Sequence, residues 1–382
     1  MSNRRTFLLH LSAAALPALA APKLPREYLV FLGTSTGRKS QGIYVFRFDP
    51  NTGEATRAEL AAQANNPNFL EIHPSRKFLH AVGNIPAPDG KTQGGVMAYA
   101  LDPASGRLAL LNQVSSQGAG PCHISIDRTG RCAVVANYGG GTVASLPIGK
   151  DGRLGEAASV VEHTGSSANP QRQEKPHPHS FNISPDNRWA VAADLGTDEV
   201  RVYRLDAARA AITPNTPPAV RVAPGSGPRH FAFHPSGKYG YVINELANTV
   251  TAFSFDARSG VLTEIQTITT LPAGYAATSY TAEVRVHPNG RFLYGSNRGH
   301  DSLAVFAIGA SGELSPLQTI STQGKYPRNF NLDPAGLWLL AANQDTDNVV
   351  VYRVDPASGM LAPTGVQVEA PTPICVRFVP AR

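Results

Sequence analysis

Cysteine is scarce in this sequence: Cys122, Cys132 and Cys375 are the only three. An odd number cannot all pair, and the two that lie close together flank one hairpin at offsets that do not face each other across it. Buried, inert thiols are therefore expected rather than a disulfide framework. Charge is sparse as well, at 16% of residues, and the formal net charge of +6 is modest for 382 residues. No cluster of Lys and Arg interleaves with aromatics, which argues against a nucleic acid partner. Beyond the first residues no apolar run is long enough to cross a bilayer. A Gly-x-Ser-x-Gly elbow is missing, so no serine nucleophile is marked. His177 and His179 in KPHPHSFNISPD would suit a metal, but no third or fourth ligand stands at a recognisable spacing, so neither a metal nor another cofactor is expected.

Turn residues are plentiful, with 35 Gly and 31 Pro, and they punctuate a repeat. Residues 227–256, GPRHFAFHPSGKYGYVINELANTVTAFSFD, read with period two as three short strands separated by tight turns. The same unit recurs around Pro74, Arg128, Pro185, Pro235, Pro288 and Pro334 at a spacing of roughly 46 to 57 residues, the period of propeller blades rather than of helical solenoids. A fourth apolar run follows an Asp-x-x-x-Gly turn, as in DPASGRLALL and DARSGVLTEI, giving four strands per blade. Six copies leave both ends of the chain over. The C-terminal ICVRFVP aligns with a first strand, and the stretch from Arg26 supplies the other three. The expected fold is all-β: a seven-bladed β-propeller of four antiparallel strands per blade, its ring closed by a blade shared between the N- and C-termini. One domain over residues 21–382 accounts for nearly the whole length.

The first twenty residues stand apart from that pattern. MSNRRTFLLHLSAAALPALA has paired Arg4 and Arg5, a short apolar stretch and a small-x-small site at Ala18 to Ala20. It resembles a twin-arginine export signal over residues 1–20. The mature chain is then expected to pass the twin-arginine export machinery folded and to be periplasmic or secreted, with no membrane association after cleavage.

In a propeller the innermost strands converge on one axis, so equivalent positions of different blades meet there. Six residues before the turn proline the blades carry Asn68, Cys122, His179, Arg229, Ala282, Arg328 and Ile374. One residue later come Phe69, His123, Ser180, His230, Glu283, Asn329 and Cys375. Nine after it, Asn137, Asp194, Asn244, Asn297 and Asn343 recur, as turn-capping residues would. His73, His234 and His287 of the repeated His-Pro turn read as structural for the same reason. A catalytic set should break the repeat, because one substrate lacks sevenfold symmetry. The charged residues that break it are His179, Arg229, Glu245, Glu283, Arg298 and Arg328. Insertions at 85–95, 164–175 and 273–281 are candidates for a lid.

The runs GIYVFRFDPNTGE, GPCHISIDRTG, PHPHSFNISPDNRWAVAADLG, GPRHFAFHPSGKYGYVINEL, GSNRGHDSLAVF and YPRNFNLDPAG resemble the seven-bladed β-propeller lactonase family from about Tyr28 to Pro380. That family includes bacterial propeller-type 6-phosphogluconolactonases and is related to fungal carboxy-cis,cis-muconate lactonising enzymes. The resemblance implies a hydrolase acting on a small-molecule sugar lactone, with site residues on PHPH (His177 or His179), GPRH (Arg229), NEL (Glu245) and SNRG (Arg298). Lactone hydrolysis needs a base for water, an acid for the leaving alkoxide and a cation at the carbonyl oxygen. Glu245 or His179 are the expected acid and base, and Arg229 and Arg298 the groups for the oxyanion or a substrate carboxylate. His123, His177, His230, Glu283, Arg328 and Asn329 are expected to contact the substrate. Phosphorylated sugar acids belong to the cytosol, so an export signal brings in a non-phosphorylated aldonolactone as the other substrate. A muconate-type cycloisomerase and a non-catalytic ligand-binding propeller are the alternative functions.

Overall fold

A four-stranded unit with apolar residues on both faces cannot be stable alone, and here each unit is covered by the next. The computed structural model describes residues 24–37 and 39–381; the export segment expected over residues 1–20 lies outside them. Among the described residues there are twenty-eight strands and no helix. They form seven four-stranded antiparallel sheets. The inner strands are Asn65–Ile72, Pro121–Ile126, Pro178–Ile183, Pro228–Phe233, Tyr280–Val286, Pro327–Leu332 and Pro373–Pro380, and each packs beside the next around one axis.

The closing blade joins the two ends of the chain. Strand Pro373–Pro380 pairs with Tyr28–Thr34, from Tyr28 opposite Pro380 to Thr34 opposite Pro373. Gly42–Phe48 and Glu59–Gln63 complete that sheet. Each inner strand is the terminal strand of its sheet, and with the ring closed its free edge faces the central channel rather than the outside of the ring.

Between blades the core is apolar and continuous. Trp189, Val191 and Val202 of one blade meet Phe231, Phe253 and Leu262 of the next. The seams are also tethered by hydrogen bonds that recur with the repeat. Nε2 of His73, His234 and His287 bonds the carbonyls of Gly130, Gly290 and Gly336 on the following blade at 2.9, 2.8 and 2.8 Å. Farther out, Tyr294 Oη donates to Gly359 O at 2.9 Å and Trp189 Nε1 to Ala257 O at 2.9 Å. The His-Pro turn is thus structural in a specific way: its imidazole reaches across a seam. The five Asn and Asp residues near the ends of the second strands tie down neighbouring backbone or turn residues. Asn137 Nδ2 donates to Ser116 O at 2.8 Å, Asn343 Nδ2 to Thr322 O at 2.9 Å, and Asp194 Oδ1 accepts the Gly196 N–H at 3.0 Å.

The insertion at 85–95 is no lid. It prolongs a hairpin, with Ile85 opposite Gln93 and Pro86 opposite Thr92. All three cysteines are free, as expected from their offsets.

Trp338 guards the seam beside the closing blade: the residue is 4% exposed, and its Nε1 donates to Pro50 O at 2.9 Å. Gly53 lies against it at φ 81°, and a Cβ there would come within 2.4 Å of the indole. Trp338→Ala is expected to cost about 3–5 kcal/mol in urea unfolding. Trp338→Phe, which keeps most of the ring and loses the bond to Pro50, should cost about 1 kcal/mol more than the lost area alone.

Candidate active site

A regular strand sends successive side chains to opposite faces, so one strand should offer the channel only every second residue. Here the register slips near the start of the inner strands. Pro228 pairs with Asn244 and His230 with Ile243, leaving Arg229 in a bulge. Cys122, His179 and Arg328 are skipped in the same way, and in another blade Ala282 and Glu283 share the gap between Thr281 and Val284. Bulges re-aim side chains, and these bring neighbouring residues, such as Arg229 with His230, to one channel.

Six of the seven residues at the first of those positions, Asn68, Cys122, His179, Arg229, Arg328 and Ile374, line a cavity of about 320 Å³ together with Phe69 and His230. A second chamber of about 340 Å³ shares Cys122, His179 and Arg328 with it and adds Arg172, Glu245, Arg298, Tyr138, Tyr280 and Tyr326. The two are parts of one funnel.

Glu245 is the hub of the outer chamber. Its Oε2 lies 2.9 Å from Arg229 Nε and 2.9 Å from Arg298 Nη2, and its Oε1 lies 2.6 Å from Arg172 Nη2. Arg229 Nη1 also donates to Ala282 O at 2.8 Å and Arg298 Nη2 to Thr281 O at 2.7 Å. Burial alone would raise the Glu245 carboxyl; the charges of Arg298 and Arg229 and the hydrogen bond from Arg172 overcome it and hold the group well below the usual carboxylate range. Burial, then repulsion from Arg298 and Arg328, brings Arg229 down to about 9, which leaves it protonated at neutral pH. Four guanidiniums face one carboxylate, so three positive charges in these walls are unmatched.

One residue further along the strands lies a second polar layer. His230 Nδ1 is 3.1 Å from Glu283 Oε1, and Asn329 Nδ2 donates to Glu283 Oε2. His123 packs beside His230 and Phe69, with ring centroids 5.3 and 4.3 Å away. Burial, followed by nearby positive charge, holds His179 and His230 well below the ordinary imidazole value of 6.5, and burial does the same to His123. The Cys122 thiol is pushed up to about 12 by burial, so it is no nucleophile at neutral pH.

Of the residues singled out in the sequence, His179, Arg229, Glu245, Arg298 and Arg328 meet in the two chambers; His230 lines the inner one, and His123, Glu283 and Asn329 lie behind it. His177 does not join them. It precedes the strand, its ring stacks on Tyr138 at 4.4 Å, its Nδ1 bonds Tyr138 O at 2.9 Å and its Nε2 meets Glu174 at 3.1 Å, behind the chamber wall. Arg172 escaped the sequence reading because its loop stands outside the repeat. An Asx turn in which Asn169 Oδ1 accepts the Gln171 N–H at 3.0 Å, and Gln173 Nε2 bonded to Leu195 O at 2.8 Å, hold that loop over the mouth. A lone arginine in the 164–175 insertion was the available signal. Among the described residues no group of His, Cys, Asp and Glu could hold a metal ion, and no helix is long and apolar enough to cross a membrane.

A family model described as lactonase, 7-bladed beta-propeller, matches residues 29–378. The chain belongs to the seven-bladed β-propeller lactonase family. A 6-phosphogluconolactonase of Bacillus subtilis (strain 168) is 38% identical over 354 residues, covering 92% of this chain and 99% of that protein. Another of that name, from Formosa agariphila, is 34% identical over 87% of this chain and 94% of its own. The solved structure of a periplasmic gluconolactonase from Pseudomonas aeruginosa superimposes with a TM-score of 0.87 at 36% identity, covering 93% of this chain and all of that one. As a member of the lactonase family, the protein is a hydrolase of a carboxylic ester bond.

Several groups of this lactonase titrate lower in the folded chain than in the unfolded one. Burial brings His80 down to about 4, and His123, His179, His230 and Glu245 are depressed as described. The unfolded chain then binds more protons, so each group's contribution is intact above its unfolded value and is lost as pH falls towards the folded one. Stability to urea should be level from about pH 7 to pH 8 and decline once pH drops below the imidazole value of 6.5, with Glu245 adding to the loss below 4.5. A urea midpoint that holds from pH 7 to pH 5 would contradict this assignment.

Proposed function

We propose that this protein opens a six-carbon aldonolactone by direct attack of water, on 6-phosphogluconolactone or its unphosphorylated parent, and that Arg328 receives the charge that develops on the carbonyl oxygen. One observation carries the reading. Arg328 borders both chambers, and among the described residues its side chain has no hydrogen bond or ion pair to protein. The other arginines of those walls are tied to Glu245 or to carbonyls. As the carbonyl becomes tetrahedral a full negative charge forms on one oxygen, and a planar guanidinium whose N–H groups are not taken by protein can offer it two of them. Arg229, whose Nη2 has no protein partner among the described residues, lines the same inner cavity.

Glu245 is suited to be the counter-ion that holds Arg172, Arg229 and Arg298 together, because a carboxylate bonded to three guanidiniums accepts a proton poorly. That leaves the imidazoles His179 and His230, which line the inner chamber, as the groups for water's proton. The surplus positive charge supports a substrate that is itself anionic, as the phosphorylated lactone is. The paired arginines at the N-terminus support export by the twin-arginine machinery to the periplasm, where the unphosphorylated lactone is the substrate to expect. Both reactions leave an anionic open-chain acid.

Acid release from gluconolactone, its 6-phosphate and a muconate, followed at constant pH, tests the reading; a wild-type protein that opens neither sugar lactone overturns it. Arg328→Ala should lower turnover about 100-fold or more, matching the roughly 2.7–4 kcal/mol carried by one oxyanion donor, with a melting temperature that does not fall, because no hydrogen bond or ion pair is lost and repulsion from Arg298 and Arg229 is relieved. Arg172→Ala should raise KM for the phosphorylated lactone more than for the plain one. Replacing Arg4 and Arg5 together by Lys should leave the protein in the cytoplasm, and undiminished recovery from the periplasm would defeat the export proposal.

A further inference from the structure

Within the site, the pairing of His230 with Glu283 differs from every other arrangement around the channel. Glu283 is 2% exposed and held from several sides: His230 Nδ1 and the Val284 N–H each lie 3.1 Å from Oε1, Arg285 Nε approaches the same oxygen at 3.4 Å, and Asn329 donates to Oε2. Asn329 is itself fixed, its Oδ1 accepting the Val376 N–H at 2.9 Å. An ionised carboxylate only accepts hydrogen bonds, so the proton of a neutral His230 belongs on Nδ1 and the lone pair on Nε2. The ring lines the inner cavity, and among the described residues Nε2 has no protein partner. His179 lacks such support, since its Nδ1 meets only the Cys122 sulfur at 3.7 Å.

We infer that His230 is the base that takes the proton of the attacking water, with Glu283 as the residue that positions it; this rests on the lactone hydrolysis proposed above. Water's oxygen bonds to the lactone carbonyl carbon while one of its protons passes to His230 Nε2, and the carbonyl π pair moves onto the oxygen beside Arg328. The intermediate then re-forms the carbonyl and breaks the ring C–O bond, whose electron pair leaves on the ring oxygen. That oxygen takes the proton from the His230 imidazolium, returning the base. The product hydroxy acid loses its carboxyl proton to solvent, and no oxidant or co-reactant enters. Burial, together with the charges of Arg229 and Arg285, keeps His230 neutral, so its Nε2 lone pair is unprotonated at neutral pH.

The test compares wild type with three variants on gluconolactone and its 6-phosphate. His230→Gln should lower kcat about 100-fold or more, the usual scale for a general base, while KM moves less than about threefold. Glu283→Gln should lower kcat about 10-fold or more at similar KM, and Glu283→Asp should recover part of that loss, which a merely structural role would not predict. His230→Ala should regain turnover when imidazole is added, and this measurement decides the matter if the Glu283 variants do not fold. An active wild type whose folded His230→Gln variant keeps kcat within about threefold, or whose His230→Ala variant ignores imidazole, overturns the role of His230. A wild type inactive on both lactones overturns instead the hydrolysis on which that role rests.

Discussion

Closure of the ring by the chain's own two ends is the constraint on which the axial site depends. The strand Pro373–Pro380 reaches its partner Tyr28–Thr34 across nearly the full length of the sequence, and nothing but hydrogen bonds and side-chain packing joins them. With that pairing made, seven inner strands face one axis and residues from Asn68 to Ile374 border one cavity. Long-range pairing of this kind carries a large loop-closure cost, which the blade-to-blade apolar core must outweigh. The polar channel is therefore supported by an apolar wall around its whole circumference.

Inside that wall the electrostatics are deliberately unbalanced. Removing charge from water is expensive, and buried ion pairs often do no more than offset their own desolvation. Glu245 and its three arginines are better understood as a device for holding geometry: one carboxylate fixes the positions of Arg172, Arg229 and Arg298, which come from a loop and two blades. Among the described residues Arg328 has no such partner. The difference separates arginines that build the funnel from one whose N–H groups are left for a ligand, and charge counting alone would not reveal it.

Much of this was legible in the chain. The turn prolines and alternating strands announced seven blades, and the shared blade followed from the unmatched ICVRFVP at one end and the unmatched strands at the other. Equivalent positions of the repeat also picked out Arg229, Glu245, Arg298 and Arg328, because convergence at an axis turns sequence offsets into proximity. What escaped was whatever departs from the repeat. The bulges that bring Arg229 and His230 to the same channel are slips of hydrogen-bond register, invisible to a period-two reading. Arg172 stands on an insertion with no counterpart in other blades. The bonding of His177 to Tyr138 and Glu174 depends on a chain turn one residue before its strand, so PHPH marked two histidines where one enters the funnel. The hairpin at 85–95 looked like a lid only because its strands run past the usual length.

The tethers across the seams bear on how such a site can change its preference. Ser125 Oγ to Phe181 O at 2.6 Å, Asn215 Nδ2 to Ser259 O at 2.8 Å and Asn331 Nδ2 to Val376 O at 3.0 Å add to the histidine and tryptophan links, so neighbouring blades are pinned at several radii. A pore braced in this way has no hinge, and a substrate cannot be gripped by blades swinging inward. Selectivity is left to whatever overhangs the rim, and within residues 164–175 substitutions that spare the anchors Ser167, Arg172 and Gln173 can alter it without loosening the blades.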